Sequence, residues 1–268
     1  MRDQGVGLSD TINPMYCDWK RSALGFLLIV CSLAGSALAI ADEGEKIVLF
    51  DGTGLGEWEA VGDGLWSITA EGYLLGQRDP RKPPFKKPWF NDLKGDLNRS
   101  WFETDFKVMM SQAWLYTKQD FDEYDLHLEW WVPTPGNSGV SIGDKTRARY
   151  TFGDASDLGK TPSQIAYEIQ ISSSWGDDYT SGSLYSIIEA KPGFQKTEGW
   201  NAFDIEVRRD SIRVVLNGHL VTEHAAVSDR QTNGPVGLQL HDEGSIVMFQ
   251  NIWLRNVPGA NTPRSQTE

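Results

Sequence analysis

Short runs of alternating apolar and polar residues recur along the chain from Lys46 onward, and each predicts a β-strand. Gly, Asn, Asp and Pro separate the runs, and no stretch of similar length sustains a helical period. Many short strands with almost no helix favour an all-β fold, either a two-sheet antiparallel β-sandwich or a jelly roll. The predicted strands are Ile47–Phe50, Leu65–Thr69, Tyr73–Gly76, Ala113–Thr117, Tyr124–Val132, Ser138–Gly143, Ile165–Ser172, Phe203–Arg209, Ile212–Leu216, Leu220–His224, Val236–His241 and Val247–Leu254.

The clearest local prediction is a β-hairpin at Asn217 and Gly218. These two residues stand between two apolar runs, and an Asn-Gly pair readily supplies the two positive-φ residues of a type I′ turn. We therefore expect the runs on either side to pair with each other.

The predicted strand Ile165–Ser172 has one apolar and one polar face, because successive side chains of a strand point to opposite sides. Two further predicted strands, Val236–His241 and Ser138–Gly143, alternate in the same way. Small residues on the polar face would leave room for a ligand to lie on the sheet, although an ordinary half-exposed sheet shows the same alternation. The residues predicted to share this polar face are Glu168, Gln170, Ser172, Gly237, Gln239, His241, Gly139, Ser141 and Gly143.

Length and charge narrow the possible classes of protein. The chain has 268 residues, 11 Trp and a formal net charge of −12, which is enough apolar and aromatic material for a sizeable core. No low-complexity linker divides it, so a single domain at 46–257 is favoured. An acidic chain without a basic cluster argues against nucleic acid as a partner.

Residues 1–39 have the features of a signal peptide. Lys20 and Arg21 precede the apolar run 23–34, and small residues at 37–39 provide a cleavage site. The run is shorter than the roughly 20 apolar residues that a transmembrane helix needs. We therefore expect a periplasmic or secreted protein without stable membrane insertion after cleavage, the alternative being a retained anchor.

Both cysteines, Cys17 and Cys31, lie in the predicted signal peptide, whether translation begins at Met1 or at Met15. The mature chain would contain no thiol, and hence no disulfide, cysteine nucleophile or cysteine metal ligand.

Two parts of the mature chain depart from the strand pattern. The segment at about 78–110 begins proline-rich and locally basic, which predicts a long loop, either a binding lid or a surface excursion. The polar tail at 258–268 is expected to be flexible.

Aromatic residues near the predicted strands point towards sugars. Aromatic faces complement the C–H patches of pyranose rings, while amides and carboxylates bind their hydroxyls, although most tryptophans of a sandwich belong to its core. The aromatic candidates are Trp175, Tyr179, Tyr185, Trp200 and Trp253.

Other chemistries have less support in the sequence. The four histidines form no pair with zinc-ligand spacing, and neither a Gly-x-Ser-x-Gly elbow nor a phosphate-binding loop occurs. The acidic pairs Asp122–Glu123, Asp177–Asp178 and Asp242–Glu243 could bind a divalent metal ion, calcium or another, but loop carboxylates are usually solvated. No cofactor is assigned with certainty.

An ordered series of short motifs carries a resemblance to a known family. The motifs are Leu49–Gly52, Trp58, Trp114–Lys118, Tyr124–Trp130, Asn137–Val140, Tyr167–Gln170, Gly182–Tyr185, Trp200–Asn201, Leu216–Gly218, Gly234–His241 and Phe249–Trp253. Each motif is weak alone, but the series in this order is fairly specific, and over roughly 46–257 the chain resembles the 3-keto-disaccharide hydrolase family.

The resemblance implies a concanavalin-like jelly roll that acts on 3-keto-glycosides. A ketone at C3 acidifies the proton on C2, so a base can remove that proton, the aglycone can leave from C1 by β-elimination, and water can be added afterwards. The matching ionisable residues are Glu168 and His241. Glu168 is favoured as the base or the metal-positioning group and His241 as the proton shuttle, while the reverse assignment stays open. The residues expected to bind the substrate are Gln170, Gln239, Asn137, Ser138, Tyr185 and Trp200.

The chain departs from the family pattern at two places. Members often continue the Asn-Ser-Gly-Val motif into an arginine where this chain has Gly143, and Lys145, Arg147 or Arg149 could supply that charge from a shifted position. Members often have an aspartate just beyond the Tyr-Glu-x-Gln-Ile motif, where this chain has Ser173. Such losses could alter the substrate or abolish catalysis.

Two readings therefore compete with an exported enzyme. One is a non-catalytic, lectin-like carbohydrate-binding jelly roll that uses the same polar face. The other is a structural surface protein, which accounts for the fold and export but not for the ionisable residues sharing a face with small ones.

Overall fold

The computed structural model describes residues 44–78, 112–151, 157–173, 178–226, 229–241 and 244–258. The predicted signal peptide at 1–39 lies outside these ranges, as do the predicted loop apart from Arg78 and the predicted tail apart from Pro258.

Strands make up most of the regular structure in these ranges. A short α-helix, Pro162–Ile165, and single-turn 3₁₀ helices at Arg149–Thr151 and Leu158–Lys160 accompany them. None of these helices is long and apolar enough to cross a membrane. The strands are β1 Lys46–Phe50, β2 Trp58–Val61, β3 Gly64–Ile68, β4 Leu74–Arg78, β5 Ala113–Thr117, β6 Tyr124–Trp131, β7 Asn137–Ile142, β8 Tyr167–Ser172, β9 Asn201–Val207, β10 Ser211–Leu216, β11 His219–Ala225, β12 Val236–Leu240 and β13 Ile246–Asn256.

The strands form two antiparallel sheets. Sheet A has the order β11-β10-β9-β6-β13-β4-β3, with β1 also paired to β13, and sheet B has the order β2-β5-β12-β7-β8. The predicted all-β jelly roll built from two antiparallel sheets is thus confirmed.

The core lies between the two sheets and uses the apolar half of each alternating strand. Leu128 and Phe203 of sheet A and Val140 and Leu238 of sheet B belong to one cluster and have no exposed surface. Because neighbouring residues point the opposite way, the polar half of each strand is turned away from this core.

The predicted hairpin is confirmed. Asn217 and Gly218 have φ angles of 51° and 83°, and β10 and β11 pair on either side with Leu216 opposite His219. The amide of Asn217 also donates to the carbonyl oxygen of Phe194 at 2.7 Å, so the turn holds a neighbouring loop.

Two local predictions need correction. The sequence pattern misses β2, which pairs with β5 at one edge of sheet B. The strand β8 begins at Tyr167 rather than at Ile165, because Pro162 at the helix N-terminus places 162–165 in the short helix.

Candidate active site

The strand register brings the polar halves of four neighbouring strands onto one surface of sheet B. Because alternate residues of a strand point the same way, side chains that are opposite each other in register share a face. We refer to this surface, turned away from the core, as the outer face of sheet B. Its register pairs are Ser141 with Glu168, Gly139 with Gln170, Gly237 with Ser141 and with Tyr116, and Gln239 with Trp114.

Glu168 is the central ionisable group of the outer face of sheet B. Its side chain is buried, with 3 % of the residue surface exposed. The carboxylate Oε1 accepts a hydrogen bond of 2.7 Å from Nε2 of Gln239, which lies two strands away. Between them stands Gly139, where a Cβ atom would come within 2.9 Å of that carboxylate oxygen. Glycine at 139 therefore lets the carboxylate lie over the intervening strand.

Burial changes the acidity of Glu168. Removal from water raises the pKa of its carboxyl to about 7, against the opposing effects of the charge on His241 and the hydrogen bond from Gln239. The carboxyl group is therefore divided between its charged and neutral forms near neutral pH. A group with such a pKa can accept a proton in one step and return it in another.

His241 lies near Glu168, since its charge lowers the pKa of that carboxyl. It follows β12 directly and is half-buried. The structure thus brings together the two ionisable residues that the sequence singled out.

Tyr116 and Trp114 extend the site along β5. Their rings stack with centroids 5.6 Å apart and form a small cluster with Ala148 that is separate from the main core. The hydroxyl of Tyr116 donates to Oδ2 of the buried Asp144 at 3.0 Å. Burial first, and then the charge of Asp144, raises the pKa of Tyr116 well above its ordinary value, so the phenol stays protonated.

Asp144 organises the turn that carries it. Its Oδ1 accepts bonds from the backbone and hydroxyl of Thr146 at 2.9 and 2.7 Å, and its Oδ2 accepts a bond from the backbone of Ala148 at 2.7 Å. The Tyr116 phenol is therefore held against a carboxylate that is itself fixed by three other donors.

The small residues do not leave open space above the sheet. A Cβ atom on Gly237 would collide with the ring of Tyr116, and one on Gly139 would meet the carboxylate of Glu168. The interpretation that these glycines leave room for a ligand is therefore corrected, because the protein's own side chains cover both of them.

Three of the predicted substrate-binding residues lie on β7, on β8 or in the segment that borders β8. Gln170 is two residues further along β8, and its Nε2 is 3.4 Å from Oδ1 of Asn137. The backbone N–H of Tyr185 donates to the carbonyl oxygen of Glu168 at 2.9 Å, and the residue is 40 % exposed. Tyr185 also packs its ring 5.3 Å from that of Tyr179. Exposure thus rises from Glu168 towards Tyr185.

Two other predicted residues lie elsewhere. Ser138 is fully buried among the core-facing positions of β7 and donates its hydroxyl to the backbone oxygen of Gln239 at 2.7 Å. Trp200 precedes β9 of sheet A, and its ring centroid is 5.0 Å from that of Tyr73. The structure does not bring either side chain to the outer face of sheet B.

The positions where the chain departs from the family pattern have other partners. Arg147 pairs with Glu59 at 2.8 Å and with Asp120 at 2.7 Å, so its charge is already matched by two carboxylates. Ser173 donates its hydroxyl to the backbone oxygen of Pro133 at 2.5 Å. Neither residue is bonded to Glu168.

The described residues do not form a metal site, since no group of three or more His, Cys, Asp or Glu side chains converges among them. Of the acidic pairs, Asp122 and Glu123 both bind Arg209. Asp177, Asp242 and Glu243 lie outside the described residues.

The sequence pattern does not single out Trp114, Tyr116 and Asp144 as members of the site. Alternation in β5 carries the signal for the first two, because Leu115 faces the core while its two neighbours face outward. Asp144 has no such signal, since it lies in a turn between regular elements.

Comparisons with known proteins agree with this fold. Two crystal structures of Parabacteroides distasonis proteins that carry the provisional name glycosyl hydrolase superpose on the chain. One has a TM-score of 0.52 and 21 % identity, covering 80 % of this chain and 100 % of the other. The second has a TM-score of 0.53 and 16 % identity, covering 80 % of this chain and 95 % of the other. At these identities the likeness shows the fold alone.

Sequence comparison is more specific. No curated protein matches the chain. The family described as 3-keto-alpha-glucoside-1,2-lyase-like domain matches residues 45–255, which is most of the chain and confirms the family predicted from the sequence motifs. The chain belongs to this family of 3-keto-alpha-glucoside-1,2-lyase-like domains.

Proposed function

We propose that this domain cleaves 3-keto-glycosides by removing the proton on C2 and eliminating the aglycone from C1. In this reaction the C2–H bond breaks and its electron pair forms the C1–C2 double bond as the C1–O bond breaks. The leaving oxygen takes up a proton, and water then adds across the double bond to give the free 3-keto sugar. Such a reaction needs a base near neutral pKa, a proton donor and groups that stabilise the developing enolate.

The observation that carries the proposal is the buried carboxyl of Glu168, with its pKa raised to about 7 and a hydrogen bond from Gln239. An ionised Glu168 removes the C2 proton, and the resulting carboxylic acid is neutral and stable in its buried site. His241, which is close enough to influence Glu168 electrostatically, moves the proton to the leaving oxygen. Gln170, Asn137 and Tyr185 are the groups we assign to the sugar.

A chromogenic 3-keto-α-glucoside tests the proposal directly. The purified mature domain should release the aglycone, and Glu168→Gln should reduce the release to near the buffer blank. The unoxidised glucoside with the same aglycone is the control, because without the C3 ketone its C2 proton is not acidic. Release equal to the blank at every pH, with and without EDTA, would reject the proposal.

The second candidate is carbohydrate binding without catalysis. The buried pair of carboxylate and amide at Glu168 and Gln239 favours it, since such groups also bind sugar hydroxyls without reacting. Saturable binding of unoxidised glycans, with no turnover of any keto-glycoside, would support this candidate instead.

We also propose that the domain acts outside the cytoplasm, in the periplasm or after secretion. The charged, apolar and small-residue segments of 1–39 support this location. N-terminal sequencing of protein recovered from outside the cytoplasm tests it, and a mature chain that still contains Cys31 would contradict cleavage.

A further inference from the structure

Several buried polar atoms on the outer face of sheet B lack a hydrogen-bond partner among the described residues, and two of them lie on the adjacent strands β5 and β12. These two are the indole Nε1 of Trp114 and the side-chain oxygen Oε1 of Gln239, and both residues have no exposed surface. An unpaired buried polar group destabilises the folded state. Native proteins therefore rarely keep such groups without a water or a ligand to satisfy them.

The two residues are register partners on adjacent strands. Gln239 of β12 lies opposite Trp114 of β5, so their side chains emerge side by side on the same face. The unpaired atoms thus belong to one part of the site, next to Glu168.

The orientation of the Gln239 amide follows from its bond to Glu168. The amide nitrogen donates to Oε1 of Glu168 at 2.7 Å, which is the arrangement that an ionised carboxylate requires because it can only accept hydrogen bonds. The amide oxygen is left as an acceptor. The indole Nε1 of Trp114 can only donate.

One of these atoms donates and the other accepts a hydrogen bond, so one hydroxyl group can bond to both. A hydroxyl oxygen can accept from the indole N–H while its hydrogen is donated to the amide oxygen. We propose that Trp114 Nε1 and Gln239 Oε1 together bind one hydroxyl group of the sugar ring, beside the carbon that Glu168 deprotonates. This inference rests on the proposed function. In the free protein a water molecule makes the same two bonds and is displaced by the sugar.

The site assigns a role to Trp114 that differs from stacking. Its ring already packs on Tyr116, and the N–H of its indole edge is the polar group left without a partner among the described residues. We refer to Trp114 Nε1 and Gln239 Oε1 together as the hydroxyl site. This site selects sugars by the position of one hydroxyl group, because its donor and its acceptor are held on two strands.

Nuclear magnetic resonance of the indole N–H groups tests the inference without requiring turnover. The cross-peak of Trp114 is identified by its loss in Trp114→Phe, and the mature protein is titrated with methyl α-glucoside and its 2-, 4- and 6-deoxy analogues. We expect the parent sugar to shift the Trp114 peak. One deoxy analogue should bind the wild type about fivefold more weakly, as expected for one lost neutral hydrogen bond.

The variant and the analogue should remove the same interaction. Trp114→Phe should weaken binding of the parent sugar by about fivefold. The deoxy analogue that binds the wild type more weakly should bind Trp114→Phe with the same affinity as the parent sugar does. Melting temperature should fall by a similar amount in Trp114→Phe and in Trp130→Phe, because each change removes ring volume from a buried position. Trp130→Phe is the matched control, since it removes an equally buried and unpaired indole N–H from the main core, and it should leave sugar binding unchanged.

An unmoved Trp114 peak at saturating sugar, or deoxy analogues that all bind like the parent, would overturn the inference and leave only water at this position. The analogue series needs no variant, so it remains decisive if Trp114→Phe does not fold. Failure of the proposed function is a separate result. A shifted peak with no aglycone release would retain the hydroxyl site and reject elimination.

Discussion

The outward surfaces of the two sheets carry the same alternating pattern but differ in chemistry. On sheet A the charged residues pair with opposite charges in water, as in Arg213 with Glu206 at 2.7 Å and Arg208 with Asp125 at 2.6 Å. On the outer face of sheet B, Glu168 is buried and bonded to a neutral amide. Water screens the first kind of pair, so its members add little to stability.

The difference lies in solvation rather than in residue type. A glutamate on sheet A and a glutamate on sheet B both occupy the polar half of a strand. Burial raises the pKa of Glu168 far enough for it to exchange a proton near neutrality. Four measurements test this comparison, from the largest expected effect to the smallest.

Replacing Glu168 by Gln should lower the rate of 3-keto-glycoside cleavage by about 10²–10⁴-fold, the usual contribution of a general base. The matched change on sheet A, Glu206→Gln, should leave the rate unchanged, because this residue only pairs with Arg213 at the surface. Steady-state kinetics of both variants measure the two cleavage rates. Equal losses of rate would show that the two faces do not differ in function.

The same Glu168→Gln variant should alter the pH dependence of stability. With a folded pKa of about 7 and an ordinary value of 4.5, the folded protein keeps the proton between these values while the unfolded chain has released it. Wild-type stability therefore falls through this window as pH rises, by up to about 3 kcal/mol. Urea unfolding from about pH 4 to pH 8 should show that the free energy of unfolding of the variant rises relative to that of the wild type as pH rises. A difference that stays constant with pH would contradict a raised pKa of Glu168.

Gly237→Ala should lower the free energy of unfolding by about 1–3 kcal/mol, since a Cβ atom collides with the ring of Tyr116 and overpacks the site. Gly56→Ala is the control, because nothing lies within 4 Å of a Cβ at Gly56. Denaturant unfolding compares the two variants. Equal stability of both would mean that the Tyr116 ring moves aside without cost.

His241→Ala should raise the pH at the midpoint of the activity profile, in addition to lowering the maximal rate. The charge of His241 lowers the pKa of Glu168, so its removal lets that pKa rise. His127→Ala is the control on sheet A, where His127 pairs with Asp204 at 2.6 Å. A profile of kcat/KM against pH measures both, and a midpoint that stays or falls in His241→Ala would exclude the interaction.

The sequence predicts most of the fold because the period-2 pattern and the turn residues act locally. The β5 bounds agree with the prediction, and the Asn217–Gly218 turn forms as expected. The strand β2 is missed because it has four residues, only one of them buried, and its assignment depends on pairing with β5. Such pairing joins residues that are far apart in the chain, so the local sequence of β2 does not indicate it.

Part of the candidate active site is also predicted by the period-2 alternation of the strands. Alternation places Glu168 and Gln239 on one face, and the structure joins them directly. What alternation does not show is how far a side chain reaches across neighbouring strands. The sequence pattern therefore does not reveal that the carboxylate of Glu168 covers Gly139 and that the ring of Tyr116 covers Gly237. For this reason the pattern suggests free space above these glycines. Trp200 is part of a family motif, but it directly precedes β9 of the other sheet.

The hydrogen bond between Gln239 and Glu168 also makes the site dependent on strand alignment. A slip of β8 by one residue would turn Glu168 into the core and Ile169 outward. The strand β8 ends the path of sheet B, and in the part of the chain that the structure describes the irregular segment at 182–185 borders it and bonds to the backbone of Gln170 and Glu168. We expect local opening of this border to separate the carboxyl from its amide while the rest of the sandwich remains folded. Loss of the proposed activity would then precede unfolding of the domain, because it requires only the border of one sheet to open.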